Sequence, residues 1–197
     1  MPGVWNETID MHRREVREAI MLAAATLVSE HGLRSVTMSQ IAERAGIGRA
    51  TLYKYFPSVE AILLAWHERQ IAGHVQQLTA IAEEAGADGP RERLEAVLEA
   101  YALIAQEYQG TDVAAAVHHG DHVVLAEHQL RRLVRDRLAE AAAAGEVRSD
   151  ISPEELTTYC IHALSAASRL PSPEAVHRLV GVILDGLRPR ATGRDRE

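Results

Sequence analysis

Residues 37–56, Thr-Met-Ser-Gln-Ile-Ala-Glu-Arg-Ala-Gly-Ile-Gly-Arg-Ala-Thr-Leu-Tyr-Lys-Tyr-Phe, constrain this chain more than any other stretch of it. Met38, Ile41, Ala42 and Ala45 recur at i, i+3, i+4 and i+7, one face of a helix. Gly46 follows where that helix must stop, because glycine takes the left-handed conformation that ends helices at no steric cost. Leu52 and Phe56 supply a second short apolar stripe at i, i+4. Two short helices joined by a tight Gly-containing turn form the helix-turn-helix pattern, whose second helix enters the major groove of DNA. The faces left outside carry Arg49, Thr51, Tyr53, Lys54 and Tyr55, donors and flat rings suited to phosphates and base edges.

The rest of the chain reads as helix as well. Apolar residues make up 47% but aromatics only 4%, and long Ala- and Leu-rich runs lack β-branched alternation. That composition predicts an all-α protein. The first helix is expected from Asp10 to His31, stopped by Gly32, with Val16, Ile20, Ala23 and Leu27 packing behind the helix-turn-helix pair. Pro57-Ser58 ends the second short helix and starts the next, with Ser58 as N-cap and Glu60 in the first turn. Gly86 to Pro90 is the clearest break. Beyond it come a helix carrying Leu94, Val97, Leu98, Tyr101, Ile104 and Tyr108, a short helix over 111–119 and a long one from His122 to Ala144. Ser152-Pro153-Glu154-Glu155 and Ser172-Pro173-Glu174 are helix starts, each with Ser as N-cap and Pro at the first position. The plan holds about nine helices, divided into residues 1–57 as a DNA-binding domain and 58–197 as a second domain.

Thr-x-x-x-Ile-Ala-x-x-Ala-Gly followed by Thr-Leu-Tyr-x-x-Phe resembles the tetracycline-repressor (TetR) family of one-component transcription regulators. The resemblance is specific over residues 10 to 70, where Thr37, Ile41, Ala42, Ala45, Gly46, Thr51, Leu52, Tyr53 and Phe56 agree in register. It implies a sequence-specific regulator, a repressor by family habit, with a C-terminal bundle that binds a small-molecule effector and dimerises. It implies DNA contacts at Thr37, Ser39, Gly48, Arg49, Ala50, Thr51, Tyr53, Lys54 and Tyr55. Thr37 would hold a phosphate at the start of its helix or simply cap it, and Arg49 would read guanine or hold a phosphate. Tyr53 and Lys54 suit phosphates. Gly48 stands where many members have Ser, so a side-chain cap is missing, and Val59 stands where a Lys often touches phosphate. The resemblance also implies a homodimer through the last two helices, where Leu156, Cys160, Ala163, Leu164 and Ala167 form a stripe rich in small residues, and hence a near-palindromic operator.

Charge is consistent with this plan through its distribution. The net charge is −7, yet residues 1–60 hold seven basic and seven acidic residues, so the whole deficit lies further along. Lys54, the only lysine, falls on the proposed recognition helix. A neutral head predicts few phosphate contacts per subunit and a moderate salt dependence.

Two further features carry alternatives. His118, His119, Asp121, His122 and His128 cluster within eleven residues, and His118 and His122 are spaced to bring two imidazoles toward one metal. Gly120 interrupts that spacing and the His-Glu-x-x-His pattern is absent, so the cluster lines a polar pocket, or serves structure, or makes the chain an all-helical metal-binding protein. Trp66, Tyr101, Tyr108 and Tyr159 are the large aromatics of the second domain; with His118 and His122 they are the candidate ligand contacts, and at helical spacing they serve equally as core. No cofactor motif, nucleophile–base arrangement or phosphate-cradling loop argues for an enzyme. A single cysteine, Cys160, fits a reducing compartment. Arg13-Arg14 before Ala19 to Val28 mimics a signal peptide, but Glu15 and Glu18 interrupt the positive segment and the helical period persists. No apolar run approaches the ~20 residues of a membrane span. A cytoplasmic protein is expected.

Overall fold

The computed structural model describes residues 3–84, 89–107 and 121–190. Among them are eight α-helices and no strand: α1 (Gly3–His31), α2 (Met38–Arg44), α3 (Arg49–Tyr55), α4 (Val59–Glu84), α5 (Pro90–Glu107), α6 (Asp121–Ala143), α7 (Pro153–Leu164) and α8 (Pro173–Gly186). Short 3₁₀ turns cover Leu33–Ser35 and Ser165–Arg169. The expected helix over 111–119 lies outside the described residues. Chain contacts divide the described residues into two compact units, one through Ile71 and one formed by 72–84, 89–107 and 121–190.

The N-terminal unit forms around the apolar stripes of α1, α2 and α3. Ile20, Ala24, Ile41, Leu52 and Ile62 are fully buried there, with Phe56 nearly so. α1 begins seven residues earlier than the sequence pattern indicates, since nothing helix-breaking follows Pro2-Gly3. It ends at Gly32, whose φ of +79° is the left-handed conformation expected of a stop. Two ion pairs tie α1 to its neighbours: Glu30 with Arg44 of α2 at 2.7 Å, and Glu18 with Arg69 of α4. The guanidinium of Arg17 lies 4.5 Å from the centre of the Phe56 ring, so α1 also grips the end of α3.

The C-terminal unit packs α5, α6, α7 and α8, with the second half of α4, around a separate core. Leu94, Val97, Leu98, Val134, Leu138, Cys160, Leu164, Val176 and Leu187 are buried completely. The start signals hold. Ser152 and Glu155 form a reciprocal capping box with Pro153 in the first turn, and the Ser172 hydroxyl accepts from the Ala175 N–H ahead of α8. Where the sequence suggests one helix through Ala167, α7 ends at Leu164 and tightens into a 3₁₀ turn. The hydroxyl of Ser165 donates to the His162 carbonyl and that of Ser168 to the Ser165 carbonyl, a three-residue bonding pattern that competes with the α-helical ladder. Ala167 still reaches the core.

Candidate nucleic-acid interface

The two short helices are built from caps inward. Thr37 is the N-cap of α2 and forms a capping box with Gln40: its hydroxyl accepts from the Gln40 N–H, and the Gln40 side-chain oxygen accepts from the Thr37 N–H at 2.9 Å. The Thr-x-x-Gln spacing that signals this box is present in the sequence, and it is a feature the motif reading passes over. Gly46, at φ +69°, turns the chain, while the Ile47 N–H reaches back to the Ala42 carbonyl at 3.0 Å. This is the glycine-terminated helix end, with the freed carbonyls satisfied locally. Gly48 then caps α3 through its backbone alone, with no side-chain bond.

α3 is anchored by one side and free on the other. Leu52 is fully buried and Phe56 sits at 3% exposure, while Arg49, Ala50, Thr51, Tyr53 and Lys54 all face solvent. Thr37, Ser39 and Gly48 are exposed as well. Tyr55 differs from the expectation of a groove-facing ring, being half-buried against the core of the unit. Val59 packs against the same core, so it offers nothing to a phosphate.

Part of the unit's positive charge is committed to ion pairs. Arg44 and Arg69 spend their guanidinium edges on Glu30 and Glu18, and Arg44 holds the Glu30 carboxyl below the usual carboxylate range. No carboxylate pairs with Arg49 or Lys54 among the described residues. Arg49 instead lies over the Tyr53 ring, 5.8 Å from its centre.

The aromatic candidates do not converge. Trp66 packs against the N-terminal core and Tyr101 against the C-terminal one, where burial pushes its phenol pKa up. Tyr159 is 45% exposed, with its ring laid beside Gly186 of α8. Tyr108 and the side chains of His118, His119, Asp121 and His122 lie outside the described residues. A groove of about 270 Å³ opens instead between α4 and α6. Val75, Leu78, Leu130 and Leu133 form its apolar walls, and Thr79, Gln129, Arg132 and Asp136 its polar ones. None of these stands out in the sequence as a ligand contact, because they come from two segments some fifty residues apart whose pairing only packing reveals.

Among the described residues no group of three or more metal-ligating side chains comes together. Burial pushes the Cys160 thiol up to about 12, so it stays protonated and packs as a small apolar group. The arginines of α6 serve the helix surface: Arg131 pairs with Glu127, Arg135 with Asp136 and Arg137 with Glu140. No helix of the described residues is long and apolar enough to cross a membrane.

Comparison with known proteins agrees with this geometry. Residues 20–66 match the bacterial regulatory proteins of the tetR family, and residues 89–189 match the SbtR-like C-terminal domain of transcriptional regulators. An uncharacterised HTH-type transcriptional regulator of Mycobacterium bovis is 28% identical over 176 residues, 85% of this chain and 87% of its own. The TetR regulator SCO0520 of Streptomyces coelicolor is 31% identical with a TM-score of 0.61, over 89% of this chain and 99% of that one. A TetR/AcrR-family regulator of Thermobifida fusca superposes at a TM-score of 0.76 and 24% identity, over 87% and 98% of the two chains. The family supplies a DNA-binding role for the N-terminal domain and leaves the metal-binding alternative without support. The chain belongs to the TetR family of transcriptional regulators, with a helix-turn-helix DNA-binding domain at its N-terminus.

Proposed function

We propose that this protein is a homodimeric repressor that holds a near-palindromic operator and releases it when a small molecule binds the C-terminal bundle. The observation that carries the reading is the face of α3: a helix fixed to its core by Leu52 and Phe56, with Arg49 and Lys54 exposed and unneutralised. Arg49 occupies the first residue of α3, the end of a recognition helix that meets base edges. Its planar fork suits the O6 and N7 acceptors of guanine. Lys54, Thr37 and Ser39 suit phosphates, which set register without reading sequence. Residues 1–57 carry this role and 58–197 carry effector binding and dimerisation.

Two features support the second half of the reading. The groove between α4 and α6 is concave and sets four apolar side chains beside four polar ones, a lining that suits a small polar ligand. The last two helices bury Leu156, Cys160, Leu164, Val176, Val180 and Leu184 yet expose Tyr159 and, at 66%, Val182, an apolar surface that fits pairing with a second copy. A twofold dimer places its reading heads about one helical turn apart, ~34–36 Å. The effector must bind the released state better than the DNA-bound one, by about 1–3 kcal/mol for typical couplings. The activity is DNA binding in the cytoplasm, with no catalysis.

Selection of bound duplexes from a random library by the purified protein tests the reading, with Arg49→Ala alongside. Recovery of a palindrome that the variant reads less selectively at one base pair per half-site is the expected result. A folded, dimeric protein that enriches no sequence would sink it.

A further inference from the structure

We propose that Tyr53 is a positioning residue for Arg49, its ring holding the face of the guanidinium so that the edge stays free and aimed for a base. This rests on the reading of α3 as the recognition helix and deepens it.

The guanidinium carbon of Arg49 lies 5.8 Å from the centre of the Tyr53 ring, inside the range of a cation–π contact. The spacing produces the stack. Residues at i and i+4 share a helix face, and helical side chains lean toward the N-terminus, so the ring of Tyr53 is carried over the turn that bears Arg49. Both side chains are exposed, and Tyr53 keeps 47% of its surface, so the ring is not there to fill the core.

Among the described residues the Arg49 guanidinium makes this ring contact and no hydrogen bond or ion pair, so its donors are unused. A guanidinium carries five N–H donors, all in its plane and all pointing outward from its edge. An ion pair consumes that edge, as Glu30 does for Arg44 at 2.7 Å. A ring consumes only the flat face. Arg49 is therefore restrained while its two-pronged edge remains open to the O6 and N7 of guanine. Restraint before binding also lowers the ordering cost that a long, flexible side chain otherwise incurs when DNA arrives.

Tyr53 has a competing role, a hydroxyl bond to a phosphate, and the two roles depend on different atoms. Positioning needs the ring and shows at one base pair. A phosphate bond needs the hydroxyl and weakens all sequences alike.

The test uses the duplex recovered by selection and the same duplex altered at the base pair where Arg49→Ala relaxes selection. The ratio of the two dissociation constants is measured for the full-length dimer at fixed salt, in wild type, Arg49→Ala, Tyr53→Phe, Tyr53→Leu and the Arg49→Ala/Tyr53→Leu double variant. Tyr53→Leu is expected to lower the ratio by about two- to fivefold, the scale of an exposed cation–π contact. Tyr53→Phe keeps the ratio, whatever it does to overall affinity. Tyr53→Leu adds nothing once Arg49 is alanine, which a purely structural role would not predict. An unchanged ratio in Tyr53→Leu overturns the proposal, as does a Tyr53→Phe ratio that falls equally far. If Arg49→Ala relaxes selection nowhere, base reading by Arg49 fails and the positioning role fails with it. If Arg49→Ala relaxes selection and Tyr53→Leu does not, only the positioning role fails.

Discussion

The two units pair their arginines to different extents. In the C-terminal unit most described arginines are matched on the spot, among them Arg131 with Glu127, Arg137 with Glu140, and Arg148 with Asp150, which Arg190 also approaches. In the N-terminal unit, Arg44 and Arg69 are matched in the same manner, but only between helices that build the unit. Arg49 and Lys54, on the outward face of α3, have no carboxylate partner among the described residues. The difference bears on net charge. A chain with a formal charge of −7 belongs to a DNA-binding family because binding depends on where cations remain uncancelled rather than on their total.

The largest effects belong to the two cores. Leu52→Ala in the N-terminal unit and Leu138→Ala in the C-terminal one each remove a fully buried side chain and should each cost about 2–5 kcal/mol in denaturant unfolding. Direct loss of operator binding is expected from Leu52→Ala, since Leu52 is what holds α3 to its support. Comparable operator loss from Leu138→Ala in protein that remains folded would show that the units are not functionally distinct in this way.

A finer contrast comes from the two capping boxes. Thr37→Ala and Ser152→Ala remove equivalent N-cap hydroxyls and should each destabilise by about 0.5–2 kcal/mol. DNA affinity measured under conditions where both variants are fully folded should fall further for Thr37→Ala, because its helix end also faces the proposed phosphate. Equal affinities would reduce Thr37 to a cap. Lys54→Ala probes charge alone: binding should weaken nearly uniformly across sequences, and the slope of log affinity against log salt should become shallower by about 0.9 for each phosphate that Lys54 neutralises.

The smallest effect belongs to acid. Hydrogen bonds from Arg148 hold the Asp150 carboxyl at about 2, below its ordinary value of 3.8. A folded-state value lower than the unfolded one adds stability above the unfolded value and loses it as pH falls through the folded one. Asp150→Asn should therefore flatten the stability profile between pH 3.8 and about 2 and leave neutral behaviour nearly unchanged. Asp150 is exposed, so solvent keeps the contribution small. A profile identical to that of wild type would show that this cluster, which also binds the Gly186 carbonyl through Arg148, contributes no acid sensitivity.

Much of the architecture is legible in the sequence because its signals are local. A glycine at a left-handed turn, a Ser followed by Pro at a helix start, and an apolar repeat at helical spacing each act within one or two turns of chain, so Gly32, Gly46, Ser152 and Ser172 can be read in order along it. The exposed face of α3 is legible for the same reason, since exposure on a seven-residue helix follows from which side Leu52 and Phe56 occupy. The break after Leu164 is less legible: serine hydroxyls choose between solvent and a nearby carbonyl, and the choice depends on what surrounds the turn.

The sequence by itself determined the fold class, the two short helices and their turn, and which residues of α3 point outward, Tyr55 excepted. Only tertiary structure decided that Tyr55 turns half toward the core, that Trp66 belongs to the N-terminal core, that Glu18 meets Arg69, and that Val75 and Leu78 line a groove with Leu130 and Leu133. The reason is range. Helix identity is set by neighbours a few residues away, whereas each of these contacts joins helices whose relative rotation is set by how whole side-chain surfaces interlock.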